Sequence, residues 1–212
     1  MNTLTEQQLR AAFSDHRSPP DPFDIVAPDN ATPFPDDWLA DKREGLRGAA
    51  ILVPFVRDAD GGLHVLLTQR AAHLKHHAGQ VSFPGGAREP GDTSLADTAI
   101  REAAEEVGLA SGRTDVVGYL RPQWTISNYA MTPVIAIVDG PVDLTLQESE
   151  VADAFQVPAE VLLDRRRHRI ERRTFQSIEF DTVEILWRER RIWGATATVI
   201  SRITKIMENN EL

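Results

Sequence analysis

"FPGGAREPGDTSLADTAIREAAEEVGL", Phe83 to Leu109, begins like a tight loop and ends like a helix that carries three glutamates, Glu102, Glu105 and Glu106, within five positions. The spacing of Leu95, Ala99, Ile100, Ala103 and Val107 at intervals of three and four predicts a helix over residues 95–107 with one buried face. Gly108 stands where a helix C-terminus takes a left-handed residue, and Asp92, Thr93 or Ser94 can cap the other end. Residues three and four apart are neighbours on a helix, so the glutamates form one acidic strip along the edge of the buried face. Like charges so placed repel, and carboxylates near a helix C-terminus oppose its dipole. Arg101 can pair with one carboxylate but cannot neutralise three.

A solvated flank is the usual fate of such a charge run. The preceding loop argues for a bound cation instead. Gly85 and Gly86 let the backbone approach a ligand and Pro84 fixes the loop's entry, so a carbonyl there can join carboxylates around a hard ion. Oxygen donors alone suit Mg²⁺ or Mn²⁺ rather than zinc, and Mg²⁺ shares its shell with water and phosphate oxygens. The chemistry that follows is attack on a diphosphate by a metal-activated water, with a spare glutamate to accept its proton.

Outward from this stretch, "AAILVPFV" (Ala49 to Val56) and "LHVLLTQR" (Leu63 to Arg70) predict two strands, joined by a hairpin turn at Asp60-Gly61-Gly62. Further strands are expected at 81–83, 116–120, 133–138 and 175–187, and helices at 159–164 and 196–208. Leu4, Leu9, Ala12 and Phe13 share one face of a short N-terminal helix, with Thr3 or Thr5 as its cap. Six of the 13 prolines fall between Pro19 and Pro35, which predicts an extended strap. The expected organisation is a helix and strap over residues 1–46, a domain over 47–205 and a tail over 206–212. Strands and helices in this order argue for a mixed sheet with helices on its faces, an α/β fold.

The 212 residues suffice for one domain with a real core. A net charge of −9 argues against nucleic acid or an anionic membrane as partner. The absence of cysteine removes disulfides, thiolate zinc sites and cysteine nucleophiles together. Charges interrupt the first 17 residues where a signal peptide needs an apolar run, so a cytoplasmic protein is expected. A homodimer is left open.

"REAAEEVGL" (Arg101 to Leu109) resembles the second half of the Nudix hydrolase signature. The first half departs: the gap from Gly86 to Glu102 is one residue longer than the general pattern, and Asp92 or Glu89 stands where the first glutamate belongs. The coenzyme A pyrophosphatase branch has such a lengthened box, preceded by a segment similar to "LLTQRAAHLKHHAGQVSFPGG" (Leu66 to Gly86). Ala71 replaces a serine of that pattern and Lys75 an arginine, which keeps the charge but loses the bidentate fork. "ISNYAMTPVIA", "ESEVADAFQVP" and "IWGATATVI" extend the likeness from Ala49 to Ile200.

The resemblance implies a Nudix-type α/β/α sandwich. It implies Glu102, Glu105, Glu106 and the Gly85 carbonyl as ligands of Mg²⁺ or Mn²⁺. Glu105, Glu102, Glu150 and Arg101 would be the catalytic set, and Arg70, Lys75, Gly85 and Gly86 the substrate contacts. The substrate implied is coenzyme A or an acyl derivative, split into 4′-phosphopantetheine and adenosine 3′,5′-bisphosphate. Two rivals stand beside it: hydrolysis of ADP-ribose, dinucleotides or nucleoside triphosphates, and a catalytically idle nucleotide sensor. Glu150 reads equally well as an exposed helix-start residue. His73, His76 and His77 lie close together but lack a zinc spacing. "RRRHRIERR" (Arg165 to Arg173), six arginines and one glutamate, reads better as a solvated loop than as a phosphate site. Trp187 and Trp193 read as core residues rather than adenine stackers, because each interrupts an apolar run.

Overall fold

A computed structural model describes residues 3–25, 45–125, 127–175 and 178–209. In chain order its elements are α1 (Glu6–Ala12), β1 (Arg47–Arg57), β2 (Leu63–Arg70), β3 (Val81–Ser82), β4 (Gly85–Ala87), α2 (Leu95–Val107), β5 (Thr114–Tyr119), β6 (Gln123–Trp124) and β7 (Tyr129–Val138), then β8 (Val151–Pro158), α3 (Ala159–Leu162), β9 (Arg169–Phe175), β10 (Ile178–Trp187), β11 (Arg190–Trp193) and α4 (Gly194–Asn209). The larger sheet runs β3-β2-β1-β7-β5, with β8 beside β2, β4 beside β1 and β6 beside β7. β1 and β7 are parallel and the other pairings antiparallel, so the sheet is mixed.

The apolar run of β1 reflects its place at the centre, covered on both faces. Ala50, Leu52 and Val56 face α2, together with Leu66, Val134, Ala136 and Val138. Ile51, Val53 and Phe55 face the opposite core with Ile135, Ile137, α4 and the small β9-β10-β11 sheet. This is the expected α/β/α sandwich with a mixed sheet. Pro54 sits in a central strand without losing a bond, because β1 changes partner there. β4 pairs with Ala49 to Ile51 and β2 with Phe55 to Arg57. Into that split runs the Phe83-Pro84 loop, whose Pro84 carbonyl accepts from the Leu52 N–H at 2.9 Å.

The N-terminal helix belongs to this core. Thr5 and Gln8 form a capping box, and Leu9 and Phe13 are fully buried. At Gly118 a Cβ would stand 2.8 Å from the Phe13 ring, so only glycine leaves room for it. The strap expected between Pro19 and Pro35 lies, from residue 26 onward, outside the described residues. Within them Ile25 packs with Leu46 and Ala130.

Several expectations change. The strand expected from 175 begins at Ile178, and β8 and β9 were not foreseen as strands. The arginine run is not simply a loop. After a turn at Arg165–Arg167 it becomes β9, because its charges find partners in the small sheet: Arg172 meets Asp181 and Arg173 meets Glu171, each at 2.5 Å. Trp187 does pack against the core, half-buried, but Trp193 does not. It ends β11 with Arg191 and Arg173 over its ring. The boundary expected at residue 205 falls inside α4, whose apolar periodicity runs on to the buried Met207. No helix among the described residues is long and apolar enough to cross a membrane.

If α1 is part of the core rather than an appendage, Phe13→Ala will lower the free energy of unfolding by about 3–5 kcal/mol, the usual result of emptying a fully buried aromatic site. Urea unfolding of the full chain measures it. A change below about 0.5 kcal/mol would mean that α1 folds on without contributing.

Candidate active site

Helix α2 forms where the spacing placed it. Ser94 caps it by accepting from the Asp97 N–H at 3.1 Å, and Gly108 closes it at φ 71°. Leu95, Ala99, Ala103 and Val107 anchor it to the sheet, which fixes the direction of every charged residue along its flank.

Arg101 is the hub of that flank. Its Nε and Nη2 donate to the two oxygens of Asp92, each at 3.0 Å, and Nη2 also donates to the Ala87 carbonyl at 3.0 Å. Its Nη1 reaches Glu102 at 3.0 Å and Glu105 at 3.1 Å. Asp92 is buried and also accepts from the Glu89 N–H at 2.8 Å and the Thr98 hydroxyl at 2.9 Å. The partner of Arg101 is therefore Asp92, not Glu89. The longer spacing before α2 is matched by a shorter side chain whose loop folds back onto the helix. Arg101 holds the Asp92 carboxyl far below the usual range, and Asp92 holds the guanidinium above its own, so both stay charged. Thr98 was not singled out from the sequence, although a threonine between Leu95 and Ala99 on a buried face is a legible signal for a buried polar partner.

The glutamates divide by environment. Glu106 is 4% exposed, and burial pushes its carboxyl up to about 8. The Arg70 charge and the Gly85 N–H oppose that rise, while Glu102 and Glu150 add to it. Burial raises Glu102 too; Arg101 opposes this, and repulsion from Glu105 and Glu150 reinforces it. Glu105 is exposed. Glu150, also exposed, belongs to the turn before β8 rather than to a helix start; its carbonyl accepts from Ala71 at 2.8 Å. Glu102 and Glu106 thus each feel neighbouring carboxylates, with Arg101 as the opposing cation for Glu102 and Arg70 for Glu106.

Contact constrains both glycines of the loop, Gly85 against backbone and Gly86 against a side chain. A Cβ at Gly85 would lie 2.5 Å from the Ala50 carbonyl oxygen and 2.6 Å from the Ile51 Cα. One at Gly86 would lie 2.6 Å from the Glu102 carboxylate. Among the described residues no three acidic or histidine side chains are close enough to hold a metal by themselves. Mg²⁺ commonly takes one or two carboxylates and completes its shell with water and phosphate oxygens. Glu106 and Glu102, raised by burial and mutual repulsion and set against the Gly85-Gly86 backbone, fit such an ion.

Arg70 ends β2. Its Nε is buried without a hydrogen-bond partner, and its charge acts on Glu106. Backbone bonds from Arg70 to Gln80 at 2.9 Å and from Gly79 to Arg70 at 3.1 Å close the base of the loop between them. Lys75 lies exposed on that loop and makes no ion pair among the described residues. The histidines do not converge: His73 meets the Ser149 carbonyl and His77 the Gln80 side chain, each at 3.1 Å.

Comparison with known proteins bears on this geometry. A family model described as NUDIX domain matches residues 46–177, more than half of the chain. Proteins described as uncharacterized Nudix hydrolase NudL are similar over 159 residues, 74% of this chain and 81% of theirs. Identity is 39% for that of Escherichia coli strain IAI39 and 40% for that of Citrobacter koseri. Among solved structures, a Nudix hydrolase from M. smegmatis, RenU, aligns with a TM-score of 0.53 at 22% identity, covering 77% of this chain and 86% of its own. That likeness concerns the fold.

Two predictions follow from the geometry. Gly86→Ala will press on the far end of the Glu102 side chain, which can swing aside, so folding will survive while Mn²⁺ affinity falls tenfold or more by calorimetry; unchanged affinity would detach Glu102 from the metal. The second concerns pH in chelator. A carboxyl raised from 4.5 to about 8 on folding keeps a proton that the unfolded chain releases, so stability will fall as pH rises through that window. Melting temperatures from pH 5 to 8 will show this slope, and Glu106→Gln will flatten it.

Proposed function

The chain belongs to the Nudix family of hydrolases, and from that premise we propose that it cleaves the diphosphate of coenzyme A or an acyl-coenzyme A in the cytoplasm, giving 4′-phosphopantetheine or its acyl form and adenosine 3′,5′-bisphosphate. The observation that carries the reading is the segment Leu66 to Gly86. Its sequence resembles that of the coenzyme A branch, and its fold lets the Arg70 charge act on Glu106, then brings the Gly85 N–H to Glu106 and Gly86 against Glu102.

In this reading Glu102, Glu106 and the Gly85 carbonyl hold Mg²⁺ or Mn²⁺, with Glu105 as a further ligand or the base. When bound, the ion withdraws charge from the phosphate oxygens and acidifies a water. The chain's own groups do the rest. Glu105 or Glu150, both solvent-facing, accepts the proton as the water oxygen bonds to phosphorus and the bridging P–O bond breaks. Arg70, its Nε without a protein partner, donates to a phosphate oxygen. Arg101, saturated by protein partners, positions Glu102 and Glu105 rather than touching substrate.

One observation favours a second reading. Lys75 is exposed and offers a point charge rather than a guanidinium fork to a 3′-phosphate, which leaves ADP-ribose, a dinucleotide or a nucleoside triphosphate equally suited. The converging carboxylates count against an idle nucleotide sensor, since their repulsion has no use without a cation.

Hydrolysis of a panel of nucleotides with Mg²⁺ or Mn²⁺ separates these readings. Coenzyme A is expected to have a higher kcat/KM than 3′-dephospho-coenzyme A or ADP-ribose, and Arg70→Ala to shrink that preference mainly through KM. Glu102→Gln and Glu106→Gln will lower kcat by about 10²-fold or more, the usual scale for losing a ligand or base, without lowering the melting temperature in chelator. Equal turnover of all three substrates would remove the coenzyme A assignment and leave the diphosphatase.

A further inference from the structure

Strand β3 is two residues long, and its one partner strand among the described residues is β2. It nevertheless leads, through Phe83 and Pro84, into the glycines whose backbone meets the glutamates. Gly85 gives its N–H to Glu106. A group that takes part in such a site has to be held to within about 0.5 Å of its place, and two residues of ladder are a weak hold for that.

Two threonine hydroxyls supply the rest, one from each face of the sheet. Thr196, in the first turn of α4, donates to the Val81 carbonyl at 3.0 Å, across 115 residues of sequence and wholly inside the protein. Thr68 of β2 donates to the Ser82 carbonyl at 3.1 Å and lies 3.0 Å from the Ser82 hydroxyl. Leu66 packs under α2 and Leu67 in the opposite core, so Thr68, two residues after Leu66, faces α2, while Thr196 comes from the other side. Both threonines are buried. The carbonyls on either side of β3 are taken as well, that of Gln80 by the Arg70 N–H and that of Pro84 by the Leu52 N–H, each at 2.9 Å, and Phe83 between them is buried. The start of α4 is itself pinned: the Ala195 carbonyl accepts from Gln123 of β6 at 3.2 Å, and Ala197, Val199 and Ile200 sit in the core. Thr198 and Thr204 of the same helix spend their hydroxyls on carbonyls of the helix itself, those of Gly194 and Ile200, whereas that of Thr196 leaves it. A valine at 196 would keep the shape and remove the donor, which leaves a buried carbonyl without that partner and β3 free to shift.

We propose that Thr196 and Thr68 are positioning residues of the metal site, whose hydroxyls fix β3 from opposite faces and through it set the Gly85 backbone against Glu106. The proposal rests on the reading of Glu102, Glu106 and the Gly85 carbonyl as metal ligands. It gives α4, on the far side of the sheet from the glutamates, a part in holding the ion.

Two measurements on the full chain test it. In chelator, hydrogen exchange at the Gly85 amide is expected to quicken tenfold or more in Thr196→Val and in Thr68→Val, to come within threefold of wild type in Thr196→Ser, and to stay within twofold in Thr204→Val, which removes a buried hydroxyl of α4 that does not touch the loop. Calorimetry is expected to show Mn²⁺ affinity lowered fivefold or more in Thr196→Val and Thr68→Val, and within twofold of wild type in Thr196→Ser and Thr204→Val. Should Thr196→Val fail to fold, Thr68→Val decides. A lower melting temperature with Gly85 exchange and Mn²⁺ affinity as in wild type makes the hydroxyls structural and overturns the proposal, as does an equal loss of affinity in Thr204→Val. Absence of Mn²⁺ binding in the wild type overturns the metal reading together with the proposal, whereas Mn²⁺ binding that the folded variants retain in full overturns the proposal alone.

Discussion

Arg101 is bound on every side that matters: Asp92 by two parallel hydrogen bonds, the Ala87 carbonyl behind it, and Glu102 and Glu105 in front. A guanidinium is the one side chain with enough donors in a fixed fork to do this. Its contacts tie three separate pieces together: the end of β4, the loop that carries Asp92 and the flank of α2. Without a carboxylate behind it, Arg101 would be free to neutralise the acidic strip. Held by Asp92, it instead fixes the geometry of Glu102 and Glu105 while leaving the cluster net negative, which is the condition a cation needs.

The fold serves that arrangement by crowding. β1 parts company with β4 before it meets β2, and the Phe83-Pro84 loop enters the gap through the bond from Leu52 to Pro84. The next two residues must then pass the Ala50 carbonyl on one side, where no side chain fits, and the Glu102 carboxylate on the other, which a side chain would push aside. Burial of Glu106 follows from the same packing, because the apolar residues of α2 that meet the sheet leave it on their edge at the end of the helix. Its raised carboxyl is a consequence of position rather than of any single contact, and an ion bound there would lower it again.

Away from the cluster, the small sheet shows how charge can be stable without being an anion site. Arg172 and Arg173, from the sequence stretch of net charge +5, and Arg190 and Arg191 of β11 each have a carboxylate within reach, so the sheet carries its arginines as ion pairs.

The sequence alone determined the helix from Leu95 to Val107 to the residue, because apolar spacing, cap and terminal glycine all agree there. It also determined the central hairpin and the oxygen-donor character of the site, since these follow from residue type and local periodicity. It left Asp92 and Glu89 as alternatives. The tertiary structure decided between them by burying Asp92 against Thr98 and Arg101, contacts across six and nine residues that no local pattern encodes. It likewise brought the charge of Glu150, in the turn before β8, to bear on Glu102 and Glu106. Strand β9 was hidden because its own residues, RIERRTF, are mostly charged and show no apolar alternation, and Trp193 was misread because an apolar run does not say which face of a sheet will be covered. These outcomes depend on which distant segments pack together, and periodicity in one segment carries no information about its neighbours.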